Sequence, residues 1–311
     1  MNRILKNTPI PIAGLMLGLA AVGNLVFSYG LIYKNIFGSL AAVILIVLTA
    51  KIIWNPECVK ESFKNPVIAS VMPTYSMGTM ILSTYIKSYF PLSAEIIWFV
   101  GLGIHALLIV FFTKYYILKF DIKKVFPSYF IVYVGIICAS VTAPAYGLTT
   151  LGQYIFWFGF ISYIILLPVV LYRVVKIKNI PEPALPTITI FAAPASLCLA
   201  GYLNSFPTKN ILMVSFLGSV SFIMFISVII YMPKMLKIKF YPSFSAFTFP
   251  FVITAIGIKG INAFLVSTGS GLLYLGYFVN FLELWSIIMI VYVLFKYMDF
   301  ILNTKPAPSI A

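Results

Sequence analysis

The chain has 311 residues, of which 62% are apolar and only 9% charged, and its mean hydropathy is +1.06. These values exclude a soluble globular domain and indicate an integral membrane protein, with residues 1–311 forming a single transmembrane domain. The net charge of +14 does not indicate a nucleic-acid partner, because the basic residues are scattered over short stretches between apolar segments. Cys58, Cys138 and Cys198 show no paired spacing, so no disulfide, metal site or cofactor is expected.

Ten apolar segments follow one another along the chain, and each is long enough to cross the hydrocarbon of a lipid bilayer as an α-helix. We number them 1 to 10 and predict their bounds at about 9–33, 37–54, 66–86, 93–117, 127–146, 149–174, 185–204, 210–233, 243–266 and 270–296. The predicted fold class is therefore an all-α integral membrane protein with ten transmembrane helices. They form five helical hairpins, each made of an odd-numbered helix and the even-numbered helix that follows it.

The basic residues orient these segments. Seventeen of the 21 lysines and arginines flank segment ends on one side of the membrane. The other side has only Lys34, Lys87, Lys209 and Lys259. Because lysine and arginine accumulate on the cytoplasmic side, we predict a multi-pass protein of the plasma membrane, the inner or cell membrane of a bacterium, with both termini in the cytoplasm.

Helix-breaking prolines are concentrated in the odd-numbered segments. Segments 1, 3, 5, 7 and 9 contain Pro9, Pro11, Pro73, Pro144, Pro194 and Pro250. The even-numbered segments have only Pro168 well inside a span and Pro233 near an end. A proline frees a backbone carbonyl, and in lipid such a break is tolerated only where protein or water satisfies it. The pattern predicts an inner ring of five kinked odd-numbered helices around a pore and an outer ring of five even-numbered helices.

The odd-numbered segments also hold many small and hydroxyl-bearing residues, which permit close helix packing and can face water. With the segment prolines, they give the candidate pore-lining residues Pro73, Thr74, Ser140, Thr142, Ser196, Ser245, Thr248 and Pro250. The same composition is typical of tight helix packing without any pore, and the sequence leaves that alternative open.

Four of the ionisable residues within the predicted spans or at their ends are candidates for a functional role. Lys87 and Lys259 lie toward the outer ends of segments 3 and 9, where they would make an electropositive outer mouth that attracts anions. Snorkelling of the side chain to the membrane interface explains the position of Lys87 equally well. Lys259 is different, because it lies about sixteen residues, or roughly 24 Å, into its helix and is therefore still in the outer part of the hydrocarbon. His105 and Glu283 are central in segments 4 and 10, where they are either a proton-coupling pair or separate groups that serve packing.

The sequence lacks the motifs of common enzymes. The chain has one histidine and contains no HExxH, GxSxG, CxxC or P-loop pattern. Neither a metal site nor a nucleophile with its base can be assembled, so we expect no enzymatic activity. A membrane sensor or assembly factor is an alternative, although such a protein would not need prolines in five alternate helices.

Three stretches resemble the tellurite-resistance/dicarboxylate transporter (TDT) family, which includes bacterial tellurite-resistance transporters and the plant slow anion channels. They are residues 9–20 (PIPIAGLMLGLA), 191–196 (FAAPAS, followed by Gly201 and Tyr202) and 247–250 (FTFP). The resemblance implies a homotrimer in which each protomer has its own pore, formed by five kinked inner helices. It also implies that a phenylalanine on the ninth helix plugs the pore, and Phe249 matches that position. Gly14, Gly18 and Pro194 match backbone positions near the same pore.

The resemblance, taken with the residue pattern, leads us to expect an anion channel or channel-like transporter that passes small anions through a pore gated by Phe249. A tight substrate clamp is not expected, because the only arginines, Arg3 and Arg173, lie at the inner surface. The alternative is a proton-coupled secondary transporter of C4-dicarboxylate, sulfite or tellurite, for which Glu283 or His105 would be the titrating group. By chemistry alone, Phe249 could also be one of many phenylalanines that merely pack.

Overall fold

A computed structural model describes residues 2–303, and all regular secondary structure within that range is helical. Eight of its helical stretches are long and apolar enough to cross a membrane, and they correspond to segments 1, 2, 4 and 6 to 10. Their bounds are Ile10–Tyr29, Leu31–Trp54, Pro91–Ile117, Thr149–Ile177, Glu182–Ser205, Ile211–Met235, Pro242–Ser267 and Leu273–Asn303. The prediction of an all-α, multi-span membrane protein is therefore confirmed.

Segments 3 and 5 are interrupted rather than continuous helices. Segment 3 consists of Pro66–Val71 followed by Pro73–Ile86, and segment 5 consists of Tyr129–Tyr133, Ile137–Thr142 and Ala143–Tyr146. The break in segment 5 lies at Gly135, where a Cβ atom would lie 2.1 Å from the Ile131 carbonyl oxygen. Only glycine permits this close approach of one turn to the next, so the predicted single helix over 127–146 is corrected to a broken one.

Three prolines of the odd-numbered segments stand in the first turn of an α-helix. Segments 1, 7 and 9 each begin with 3₁₀ turns and continue as the α-helices Ala13–Leu25, Ala193–Ser205 and Phe249–Ser267. Pro194 and Pro250 occupy the first turn of the last two, and Pro73 starts the α-helix in segment 3. A proline costs little there, because the first turn of an α-helix has no internal partner for the missing N–H.

Burial divides the helices into two classes. In the apolar windows of segments 1 and 7, 83% and 89% of residues are buried, whereas the corresponding values for segments 2 and 4 are 17% and 22%. Each odd-numbered segment contacts the next odd-numbered one, in the order 1, 3, 5, 7 and 9, and segment 9 contacts segment 1. Each odd-numbered segment also contacts the even-numbered segment that follows it. The odd-numbered segments thus form the interior of the bundle, and the even-numbered segments cover it.

The two described ends of the chain lie together at one end of the bundle. The Arg3 guanidinium donates a hydrogen bond of 3.0 Å to the Leu302 carbonyl, and the Asn7 amide donates one of 3.1 Å to the Ile301 carbonyl. Residues 3–7 and 301–302 therefore lie on the same side of the bundle.

Candidate functional site

A narrow cavity lies at the centre of the odd-numbered segments. It holds about 40 Å³ of space that water could occupy, enough for roughly three molecules at about 10–15 Å³ each. All five odd-numbered segments and none of the even-numbered ones contribute to its wall. The lining residues are Gly14, Leu17, Val71, Thr74, Met77, Phe130, Ile131, Val134, Gly135, Ile190, Ala193, Pro194, Leu197, Ser245, Ala246, Phe249 and Pro250.

Phe249 is placed in this wall by a break in segment 9. Thr248, at the end of the 3₁₀ turns, has φ −106° and ψ −85°, and the α-helix begins at Phe249. The Thr248 hydroxyl lies 3.0 Å from the Gly14 carbonyl oxygen and 2.7 Å from that of Ser245, which ties the break to segment 1. Phe249 is only 7% exposed and is one of the residues that line the cavity. The ring therefore narrows the cavity from a fixed point of the backbone.

Two glycines let segment 1 approach this break closely. A Cβ atom at Gly14 would lie 2.9 Å from the Ser245 side chain, and one at Gly18 would lie 2.7 Å from the Thr248 side chain. A Cβ at Gly18 would also lie 3.2 Å from the Phe249 nitrogen. Real Cβ atoms essentially never come within 3.0 Å of another heavy atom, so a side chain at either position would displace the backbone that carries Phe249.

The structure places the predicted pore-lining residues in three groups. Gly14, Thr74, Pro194, Ser245 and Pro250 line the cavity. Three more, Gly18, Pro73 and Thr248, are not lining residues, but each is next in sequence to one. Ser140, Thr142 and Ser196 do not line it.

The hydroxyls of these last three residues serve helix packing instead. Ser140 lies 3.0 Å from the Ser205 hydroxyl, and Thr142 accepts a hydrogen bond of 2.7 Å from the Trp98 indole. Ser196 lies 2.6 Å from the Ser221 hydroxyl. Because a buried hydroxyl needs a partner, a neighbouring helix satisfies it as well as water in a pore would.

Apolar lining residues are those that sequence reasoning missed. Phe130 is fully buried, lines the cavity and packs edge-on against Phe191 with the ring centroids 5.7 Å apart. Leu17 and Met77 lie three residues after the lining residues Gly14 and Thr74. That spacing places them on the same helix face, and it is the signal that would have identified them.

A wider vestibule of about 480 Å³ opens at the end of the bundle where the odd-numbered segments begin. Its wall contains residues from or just before the start of all five odd-numbered segments, namely Pro9, Ile10, Pro11, Ser62, Asn65, Pro66, Val67, Ile68, Val71, Phe126, Pro181, Pro183, Ala184, Tyr241, Pro242 and Ser243. It shares Val71 with the central cavity. The five odd-numbered segments therefore run parallel, with their N-terminal ends toward the vestibule.

Lys259 and Glu283 form an ion pair. The Lys259 ammonium lies 2.8 Å from the Glu283 carboxylate and also donates to the Leu25 carbonyl and the Ser28 hydroxyl. The second carboxylate oxygen accepts a hydrogen bond of 2.6 Å from Tyr29. This cluster lines a separate cavity, between the end of segment 1 and segments 9 and 10. The Lys259 charge is thus paired with the Glu283 carboxylate, and its role in an electropositive outer mouth stays a prediction.

Lys87 and His105 also have local partners. The Lys87 ammonium donates to the Ala145 carbonyl and lies 5.6 Å from the centre of the Tyr146 ring. His105 is fully buried, with Nδ1 2.9 Å from the Ser76 hydroxyl and Nε2 3.0 Å from the Val132 carbonyl. Because a carbonyl can only accept, Nε2 carries a proton. His105 and Glu283 therefore bond to different partners and not to each other.

Comparison with known proteins assigns the family. The profile of the SLAC1 family, described as a voltage-dependent anion channel, matches residues 7–298. The chain belongs to the SLAC1 family. An uncharacterized transporter of Methanocaldococcus jannaschii is 28% identical to this chain over 250 residues, which are 72% of each protein.

Membership of the SLAC1 family confirms the resemblance found in segments 1, 7 and 9. The chain is a multi-pass integral membrane protein of an anion channel and transporter family, and it is not an enzyme. Small anions are the permeants that the SLAC1 family implies. The central cavity, rather than the Lys259 cluster, is the place in this fold where all five buried segments meet.

Proposed function

We propose that this protein passes small inorganic or organic anions passively across the plasma membrane through the central cavity, and that Phe249 is its gate. The ten segments act as five hairpins, with the odd-numbered helices around the pore and both termini in the cytoplasm. The observation that carries this proposal is the composition of the cavity wall, to which every odd-numbered segment contributes. By analogy with the family the chain resembles, we expect three copies to assemble, each with its own pore.

The occlusion has a simple physical basis. The cavity has room for only a few water molecules, and its wall is mostly apolar. A narrow apolar constriction excludes an ion in two ways. It is too small for the ion to pass, and it excludes the water that would hydrate the ion. The Phe249 ring stands at the start of the α-helix in segment 9, and a change of its rotamer is the step that we expect to open the cavity.

Anion selectivity follows from the direction of the helices. The cavity lies toward the N-terminal halves of five parallel segments, and an α-helix carries about half a positive charge at its N-terminus. The described lining residues include no carboxylate that would oppose this field. They also include no other ionisable side chain, which favours passive flux over coupling to protons.

The experiment measures the electrical current carried by chloride, nitrate and malate through wild type, Phe249→Ala and Phe247→Ala. Phe247 lies two residues earlier in segment 9, is fully buried and does not line the cavity. Its truncation to alanine therefore removes the same side-chain atoms at a position outside the cavity wall. We expect anion currents about tenfold or more above wild type for Phe249→Ala only. Equal currents in the two variants, with both proteins folded and inserted, would remove Phe249 from the pathway.

A further inference from the structure

A large cavity of the bundle lies outside the central cavity. It is a groove of about 690 Å³ between the ends of segments 6 and 8, with the start of segment 7 as its floor. Segment 6 ends at Ile177 and segment 7 begins at Glu182, so the groove opens at the same end of the bundle as the vestibule. Most basic residues of the chain flank the segments at this end.

The groove has two chemically different zones. Lys178, Tyr231 and Lys234 stand among its polar lining residues, and the Lys234 ammonium lies 5.3 Å from the centre of the Tyr231 ring. In the described part of the chain, neither lysine forms an ion pair. The rest of the wall is largely apolar and includes Met224 and Phe191. A ligand that fits both zones carries an anionic group at one end and a hydrocarbon chain at the other.

The backbone beside the lysine at the groove is held in an unusual conformation. Lys178 and Asn179 have φ values of 57° and 54°. Residues other than glycine rarely adopt positive φ values of this kind. The buried Arg173 guanidinium donates to the carbonyls of both residues and to that of Lys123. Such strain persists only where the surrounding structure enforces it. Arg173 thus fixes the path of the loop that presents Lys178.

We propose that this groove binds an anionic phospholipid of the cytoplasmic leaflet. The phosphate of the headgroup pairs with Lys178 and Lys234, and an acyl chain lies against the apolar wall. Basic pockets between transmembrane helices on the cytoplasmic side are suited to this chemistry. Phosphatidylcholine offers the same chains without net negative charge, and free phosphate offers the charge without chains, so neither matches both zones.

Through its floor, the groove is connected to the central cavity. Phe191 lines the groove and packs edge-on against Phe130, which lines the cavity. A bound acyl chain would therefore restrict the ring that supports one side of the cavity wall. This consequence for anion flux rests on the proposed function, whereas the binding site itself does not.

The test measures binding of phosphatidylglycerol and phosphatidylcholine to the purified full-length protein by native mass spectrometry. We expect wild type to prefer phosphatidylglycerol. In Lys178→Gln/Lys234→Gln this preference should fall roughly thirtyfold, because each lysine contributes about fivefold. The matched control is Lys119→Gln/Lys296→Gln, which removes the same charge from residues outside the groove and should keep the preference. Because binding is the readout, the result is independent of whether Phe249 gates a pore.

A second variant tests the apolar zone. Ser227→Trp fills the groove from segment 8 while leaving both lysines in place, and it should also abolish the preference for phosphatidylglycerol. An unchanged preference in Lys178→Gln/Lys234→Gln would overturn the proposal. Complete competition by inorganic phosphate, with no effect of Ser227→Trp, would reduce the site to one for a soluble anion. A change of oligomeric state on substitution of the two lysines would show that a second copy covers the groove, which would also overturn it.

Discussion

Substitution of Gly18 by alanine tests a close approach between segment 1 and the Phe249 backbone. The added Cβ would lie 2.7 Å from both Cβ and Oγ1 of Thr248 and 3.2 Å from the Phe249 nitrogen. Thr248 is fully buried, and its hydroxyl is within hydrogen-bond distance of the Gly14 and Ser245 carbonyls. The threonine therefore cannot rotate aside without losing these bonds, and segments 1 and 9 must separate instead.

The expected magnitude combines two opposing effects. Overpacking of a well-packed interior typically costs about 1–3 kcal/mol. Replacing glycine by alanine within a helix gains up to about 1 kcal/mol from helix propensity. Gly103→Ala isolates the second effect, because Gly103 lies inside the helix Pro91–Phe112 and a Cβ there would meet nothing within 4 Å. Gly18→Ala should thus be less stable than Gly103→Ala by about 1–3 kcal/mol.

The assay is thermal unfolding of the two purified variants in the same detergent, followed by tryptophan fluorescence. We expect a melting temperature for Gly18→Ala that lies several degrees below that of Gly103→Ala, which itself should match or exceed wild type. Equal melting temperatures would refute the reasoning, because they would mean that segment 1 does not approach the Phe249 backbone as closely as the described contacts require.

Three further substitutions test other parts of the account. Lys259→Met leaves the Glu283 carboxylate, 3% exposed, without its cation, and should cost about 3 kcal/mol of unfolding free energy, which Lys259→Met/Glu283→Gln largely restores. His105→Phe removes the donor to a buried carbonyl and should cost about 1–3 kcal/mol in chemical unfolding, with no change in the pH dependence of anion flux. Ala193→Glu places a carboxylate in the cavity wall and should suppress the anion current of Phe249→Ala, whereas Ala193→Gln should suppress it much less.

The division into buried and covering helices could be predicted because its cause is local. A proline such as Pro73 or Pro194 changes the backbone wherever it stands, and its place in alternate segments can be read directly from the sequence. The place of Phe249 could be predicted only from resemblance to a family. Chemistry alone does not distinguish this ring from the other phenylalanines, since the structure shows that its position depends on the nonhelical Thr248.

The differences between the predicted site and the observed cavity wall have a common physical origin. Ser140 and Thr74 are both hydroxyl residues of odd-numbered segments, yet only Thr74 lines the cavity. The rotation of each helix decides between the two, and that rotation is set by packing against neighbours. The same holds for Lys259 and Glu283, which are 24 residues apart in sequence and meet only because segments 9 and 10 pack with these faces together. Pairs of this kind can be identified only from the structure.

The most direct test of the central claim is chemical modification of cysteines placed in the cavity wall. In the Phe249→Ala background with Cys58 replaced by serine, Thr74→Cys puts a thiol in the wall, and Ser140→Cys puts one between helices. A negatively charged methanethiosulfonate reagent should abolish the anion current of Thr74→Cys and leave that of Ser140→Cys unchanged. Persistent current in Thr74→Cys, with the thiol shown to be modified, would contradict passage of anions through this cavity.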